Sequence, residues 1–177
     1  MRKKTKLPEI CEKIKTMDDV LKAVKMEPGE FYAITHLLPS DMVAAFKIRL
    51  IAEALNEGWV PTFDPGERRY YPWCFVCTEE FAADHPELHA KPLGRVVGRS
   101  SNNANAGGGL VCANANNASS YSNTYGGARL AFKTEALAEY AGEQFLDIYA
   151  DFYFTDPDVA QCWGNEEQPD SVTSNPE

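Results

Sequence analysis

The sequence predicts an α+β fold: a small antiparallel sheet flanked by two main helices. Three observations carry that prediction. Apolar residues recur at three- and four-residue steps over 41–56 and again over 135–154, the period of a helix that buries one face. Between them, Arg69–Val76 is aromatic and β-favouring, and the residues beyond it include short stretches that alternate small apolar with polar side chains, the period of a strand. The chain has 177 residues, 44% apolar and 24% charged, which is enough for one domain with its own core and excludes a disordered, collagenous or coiled-coil chain.

In chain order, residues 17–25 (MDDVLKAVK) read as a short helix that Thr16 can cap, with Asp18 and Asp19 favourable at its positive end. FYAITHLLP reads as a connecting segment. Ser40 precedes the helix 41–56, whose stripe is Val43, Phe46, Leu50 and Ala54, widened by Ile51 and Leu55, and Gly58 stands where a left-handed cap belongs. Pro61 and Asp64-Pro65-Gly66 mark turns, and Pro72 inside the aromatic strand suggests an edge or a bulge. Residues 79–93 read as a polar loop, and 95–97 begin another strand. Ala128–Phe132 (ARLAF) reads as a strand. Thr134 caps the last helix, 135–154, with the stripe Leu137, Ala141, Phe145, Ile148 and Phe152, joined by Tyr140 and Tyr149. Gly142 within it weakens helix propensity and marks close packing against the sheet. The organisation expected is one globular domain over 1–155, with a display segment at 100–127, and an acidic disordered tail over 156–177.

Charge and cysteine narrow the function. The net charge is −9, but the six acids of 156–177 supply most of it, and the rest of the chain is mildly acidic. A protein that grips phosphates gathers Lys and Arg on one face, so nucleic acid is not the expected partner. No apolar stretch is long enough to span a membrane, and the basic first fifteen residues lack an apolar core of the kind a secretory signal needs. Five cysteines, an odd number, in a chain of this length predict free thiols and a reducing compartment. Cys74 and Cys77, followed by His85 and His89, have the residue types of a zinc site, but residues three apart in a strand point to opposite faces. No phosphate-binding glycine loop, paired acidic motif or nucleophile elbow is present, and Cys74, Cys77, Cys112, His36, His85 and His89 are the only nucleophile or metal material. The expectation is a non-enzyme with neither metal nor cofactor.

One segment stands apart. Residues 100–128 carry no charge and hold seven of the ten asparagines: Asn102, Asn103, Asn105, Asn114, Asn116, Asn117 and Asn123. The remainder is almost all Ala, Ser, Gly, Thr and Tyr, a composition that disfavours helix. Asn103–Ala106 and Ala113–Asn116 alternate. As a strand, the second stretch puts Val111, Ala113 and Ala115 toward the core and Cys112, Asn114 and Asn116 outward, with Gly107–Gly109 as a turn or break. Tyr with Ser, Gly and Asn is also the composition of an antibody paratope, where Tyr gives rigid contact area and the small polar residues give adaptable hydrogen bonds.

The order RRYYPWCFV, then this polar stretch, then GARLAFKTEALAEYAGEQFLDIYADFYF, resembles a family of uncharacterised proteins of gut bacterial phages and mobile elements. The resemblance runs from about Met42 to Phe154 and is most specific over 128–134 and 137–152. It implies that the polar stretch is similar to the target segments of diversity-generating retroelements. There, mutation of template adenines turns Asn codons into codons for Tyr, Ser, Thr, Gly, Ala and Asp, and an Asn-rich stretch is what a little-mutated copy looks like. Such targets are ligand-binding proteins, often receptor-binding or surface-display proteins, on a scaffold distantly like a C-type lectin.

The resulting expectation is a ligand-binding module in the virion or the cytoplasm. Its surface comprises Asn102, Asn103, Asn105, Asn114, Asn116, Asn117, Ser119, Ser120, Tyr121, Asn123 and Tyr125, and its ligand is a protein or a glycan. The alternatives are a virion structural or accessory protein that assembles through Tyr70, Tyr71, Trp73 and Phe75, or a Cys/His zinc protein. No oligomeric state follows from the sequence.

Overall fold

The computed structural model describes residues 7–62, 64, 66–77, 79–86, 109–119 and 128–153. In chain order these form α1 (Ile10–Lys13), α2 (Met17–Ala23), α3 (Pro28–Thr35), α4 (Ser40–Asn56), β1 (Arg68–Cys77), α5 (Glu79–Asp84), β2 (Gly109–Ser119), a 3-10 turn (Ala128–Leu130), α6 (Glu135–Gln144) and α7 (Leu146–Tyr153). The class is mixed α+β. No helix among the described residues is long and apolar enough to cross a membrane.

The N-terminal helices start where local chemistry allows. Thr16 caps α2 in a full capping box: the Asp19 amide donates to Thr16 Oγ1 at 3.3 Å, and the Thr16 amide donates to Asp19 Oδ2 at 3.0 Å. The segment read as a connection is instead the helix α3. Its start is set by Pro28 in the first turn, where the missing N–H costs nothing, with Glu30 at the positive end. His36 closes it, stacked on Tyr32 and with Nδ1 3.1 Å from the carbonyls of both Tyr32 and Ala33. α4 is the axis of the core. Its Ile48, Ile51 and Leu55 are buried together with Val20 and Leu21 of α2, Phe132, and Leu137 and Ala141 of α6. It ends on two successive left-handed residues, Glu57 (φ 51°) and Gly58 (φ 83°), so the cap expected at Gly58 begins one residue earlier.

The chain then turns back. The Gly66 amide donates to Asp64 Oδ1 at 2.7 Å, the Asx turn that Asp64-Pro65-Gly66 predicts. Glu67 holds the other end of this turn, accepting from the Thr62 amide at 2.8 Å and from its hydroxyl at 3.1 Å. Arg69, 2% exposed, lies beneath it: Nη2 donates to the Thr62 carbonyl at 3.0 Å, and Nε stands 4.0 Å from Glu67. The buried guanidinium is thus met by a carbonyl at hydrogen-bond distance and by a carboxylate at the outer limit of an ion pair.

ARLAF is not a strand. Ala128–Leu130 is a 3-10 turn, and Phe132 forms one isolated bridge with Tyr70, each amide donating to the other's carbonyl at 2.9–3.0 Å. The backbone groups on the far side of Phe132 are met by the buried side chain of Asn56. Its Nδ2 donates to the Ala131 carbonyl at 2.8 Å, and its Oδ1 accepts from the Lys133 amide at 3.0 Å. Asn56 thus meets the backbone groups that a neighbouring strand would otherwise pair. Lys133 reinforces the junction from its side chain, donating to the Asn56 carbonyl at 3.2 Å and to Glu57 at 3.1 Å.

The long C-terminal helix is two helices. Thr134 caps α6 as expected, with Oγ1 accepting from the Leu137 amide at 3.3 Å. The helix breaks at Phe145 (φ −111°, ψ 31°), whose carbonyl begins α7 by accepting from the Ile148 amide at 2.9 Å. The break lets two helices serve two neighbours: α6 packs on β1 and β2, while α7 packs against α4. α6 also ties down the connection between α1 and α2, since the Tyr140 hydroxyl donates to the Ile14 carbonyl at 2.6 Å and Gln144 donates to the Lys15 carbonyl at 2.8 Å.

Burial raises the Tyr140 hydroxyl to about 12 and the Cys11 thiol to about 11. Both groups must stay protonated in the folded state, and both have folded values above their ordinary ones. Their contribution is whole below about pH 9 and is lost as pH rises toward 12. Melting temperatures measured from pH 8 to pH 12 are expected to fall above pH 9. The fall should be shallower in Tyr140→Phe, which has no hydroxyl to ionise, although that variant starts lower.

Candidate functional site

β1 and β2 pair antiparallel, Arg68 opposite Ser119, Tyr70 opposite Asn117, Tyr71 opposite Asn116, Pro72 opposite Ala115 and Trp73 opposite Asn114. Beyond Trp73 the register slips. Phe75 stands opposite Val111, so Cys112 and Ala113 together face Cys74. This is a β-bulge, with one extra residue on β2.

The bulge sorts the ribbon into two faces. Paired residues share a face, and residues two apart on a strand share one. Tyr70, Pro72 and Cys74 of β1, with Cys112 and Ala115 of β2, form the face that meets α6 and the core. Cys112 is 3% exposed and is bonded to Cys74 in a disulfide, with Cα atoms 4.1 Å apart. Two sequence expectations are corrected here. Cys112 lies inward, not outward, because the bulge shifts its phase relative to Ala115. And Cys74 and Cys112 are not free thiols; Cys11 is a free, buried one. α6 meets this face at Gly142. A Cβ built there would lie 2.9 Å from the Cys112 Cβ and 3.0 Å from the Pro72 Cβ, the close packing that a glycine in that helix suggests.

The opposite face carries Tyr71 and Trp73, with Asn116 and Asn114 at the register positions across from them. Trp73 is 45% exposed and Tyr71 is half-buried. Burial raises the Tyr71 hydroxyl, and the neighbouring Arg69 guanidinium opposes that rise. The aromatic group Tyr70, Tyr71 and Trp73 therefore does not form one patch, because Tyr70 belongs to the core side.

Of the residues expected to recognise a ligand, Asn114 and Asn116 are on β2 in the phase of Trp73 and Tyr71, whereas Asn117 and Ser119 pair with Tyr70 and Arg68 and take the other phase, so the four do not share one face. Asn117 is exposed, and its Oδ1 accepts from Arg68 at 3.0 Å. Asn102, Asn103, Asn105, Ser120, Tyr121, Asn123 and Tyr125 lie outside the described residues, as do the alternating stretch 103–106 and the strand expected at 95–97. Sequence reasoning assigned Trp73 and Tyr71 to assembly and did not join them to the asparagines. Only the register does so, and no single-strand pattern contains it.

The metal and nucleophile candidates are dispersed. Cys74 is in the disulfide, so the pattern Cys74, Cys77, His85 and His89 lacks a thiolate in this state. Residues read as a polar loop begin with α5, and His85 stacks on Phe81 with ring centroids 4.2 Å apart, its Nδ1 3.0 Å from the Phe81 carbonyl. His36 closes α3. Among the described residues no three metal-binding side chains come together. No family model, no curated protein and no solved structure matches the chain.

The seat of the ribbon on α6 gives a direct prediction. Alanine favours a helix over glycine by about 1 kcal/mol. At position 142 the added methyl meets two Cβ atoms fixed to backbone, which cannot swing aside. Gly142→Ala is expected to destabilise the fold by about 1–3 kcal/mol in denaturant unfolding. Neutral or improved stability would mean that α6 and the ribbon are not in that contact.

Proposed function

We propose that the protein is a non-enzymatic ligand-binding module whose ribbon displays a diversifiable Asn-, Ser- and Tyr-rich surface, encoded by a phage or mobile element as the target of a diversity-generating retroelement. The observation that supports it best is the division of labour along β2. Cys112 and Ala115 make the inward contacts, to Cys74, Gly142 and the core, while Asn114 and Asn116 alternate with Ala115 opposite the aromatic pair Trp73 and Tyr71. A strand that keeps frame and display on different residues lets display positions change while the frame stays, and this alternation supports that reading. The charge-free composition of 100–128 suits a neutral protein or glycan surface, with aromatic rings for area and amides for hydrogen bonds. The proposal does not depend on a lectin-type scaffold.

The test is tolerance. Asn114→Ser, Asn116→Ser and Tyr121→Ser combined are expected to move the melting temperature by no more than about 3 °C, as surface changes do. A fall of about 10 °C or more would make these frame residues and end the reading. The retroelement origin is tested at the locus: a reverse transcriptase gene beside an imperfect copy of the stretch encoding 100–130, differing at adenines, supports it, and a locus lacking both refutes it.

A further inference from the structure

β2 faces two preferences that cannot both be met. Its sequence pattern favours a regular ladder. Continued without a slip from Trp73 opposite Asn114, the register would set Cys74 opposite Ala113, Phe75 opposite Cys112 and Val76 opposite Val111. Positions 111, 113, 115 and 117 would then share the core phase, and 112, 114 and 116 the outer one. That arrangement places Val111, Ala113 and Ala115 on one side and loses no ladder bond. The observed register does otherwise. One extra residue is inserted, position 111 takes the outer phase opposite Phe75, and Cys112 takes the inner phase beside Cys74 and under Gly142. A bulge leaves a residue unpaired. What this one gains in return is the Cys74–Cys112 bond.

We propose that the Cys74–Cys112 disulfide is a redox site that selects between two registers of the ribbon: the bulged one when oxidised, and the regular ladder when reduced. A dithiol reductant transfers two electrons and two protons to the S–S bond, giving two cysteine thiols and the reductant's own disulfide. A low-molecular-weight disulfide reverses the step by accepting the same electrons and protons through thiol exchange. On reduction, Cys112 moves to the outer face opposite Phe75, and Ala113 replaces it beneath α6. Residues 114–119 keep their phase in both forms, so the asparagine positions opposite Trp73 and Tyr71 are undisturbed. The residues of β2 that precede the bulge exchange faces. This inference stands whether or not the ribbon binds a ligand.

The experiment is site-resolved alkylation of the full chain with iodoacetamide, read by peptide mass spectrometry. After reduction with dithiothreitol under native conditions, Cys112 is expected to react at least tenfold faster than Cys74. Buried Cys11 serves as the internal measure of an intact fold and should stay protected. Cys74→Ser, which needs no reductant, should show the same fast Cys112. Deleting Ala113 removes the extra residue, so that Cys112 falls opposite Cys74 in a regular ladder, and there Cys112 should remain as slow as Cys11 even when reduced. The proposal is overturned if Cys112 stays protected in the reduced protein or in Cys74→Ser, or if Cys11 labels along with it because the fold is lost. It is also overturned if the Ala113 deletion leaves Cys112 as reactive as in the reduced native chain.

Discussion

The side-chain amide of Asn56 holds this fold together. It sits at the last turn of α4, buried, and meets the Ala131 carbonyl and the Lys133 amide with its donor and its acceptor. Between those two residues Phe132 bridges to Tyr70 of β1. A segment of three residues is thus hydrogen-bonded on one side to a strand and on the other to a helix. No other side chain could take the place of asparagine without loss. Aspartate has no hydrogen to offer the carbonyl, leucine has neither group, and glutamine places its amide one carbon further out. The cost of leaving buried backbone groups unpaired makes the junction all-or-none.

From this clasp the rest of the architecture follows. Phe132 is fixed, so α6 starts at Thr134 and runs across the ribbon, and its one residue without a side chain falls where Cys112 and Pro72 come closest. The break at Phe145 then turns α7 back against α4. The core face of the ribbon is therefore held by a helix, a disulfide and a bridge. Among the described residues, the opposite face carries Tyr71 and Trp73, with Asn116 and Asn114 at the register positions across from them. A strand can specialise its residues in this way because successive positions belong to opposite faces.

Much of this was legible in the sequence, and the rest was hidden for physical reasons. α2, α4 and the caps Thr16 and Thr134 follow from local pattern, and Gly142 was readable as a contact point because a glycine inside an amphipathic stripe needs a reason. α3 was missed although Pro28 at its first turn was a signal, because Phe31, Ile34 and Thr35 read equally well as extended chain. ARLAF has strand chemistry, but only Phe132 pairs with a strand residue, Tyr70, and the Ala131 carbonyl bonds to the Asn56 side chain 75 residues away, which no local window contains. The apolar stripe of the last helix runs through Phe145 unbroken, since an interruption that keeps a residue buried leaves the period intact. The disulfide was hidden twice over: cysteine spacing does not give pairing, and the bulge reverses the side on which alternation places Cys112. The Asn-rich composition of 100–128 stood out in the sequence, but the register that sets Asn114 and Asn116 opposite Trp73 and Tyr71 did not.

The most direct test of the clasp is the unfolding free energy of Asn56→Ala, measured by denaturant titration alongside the native chain. The account predicts a loss of about 2–4 kcal/mol, the cost of two buried backbone groups left unpaired. A loss below about 0.5 kcal/mol would contradict it, because the Ala131 carbonyl and the Lys133 amide would then have other partners and the junction of helix, bridge and ribbon would not depend on this side chain.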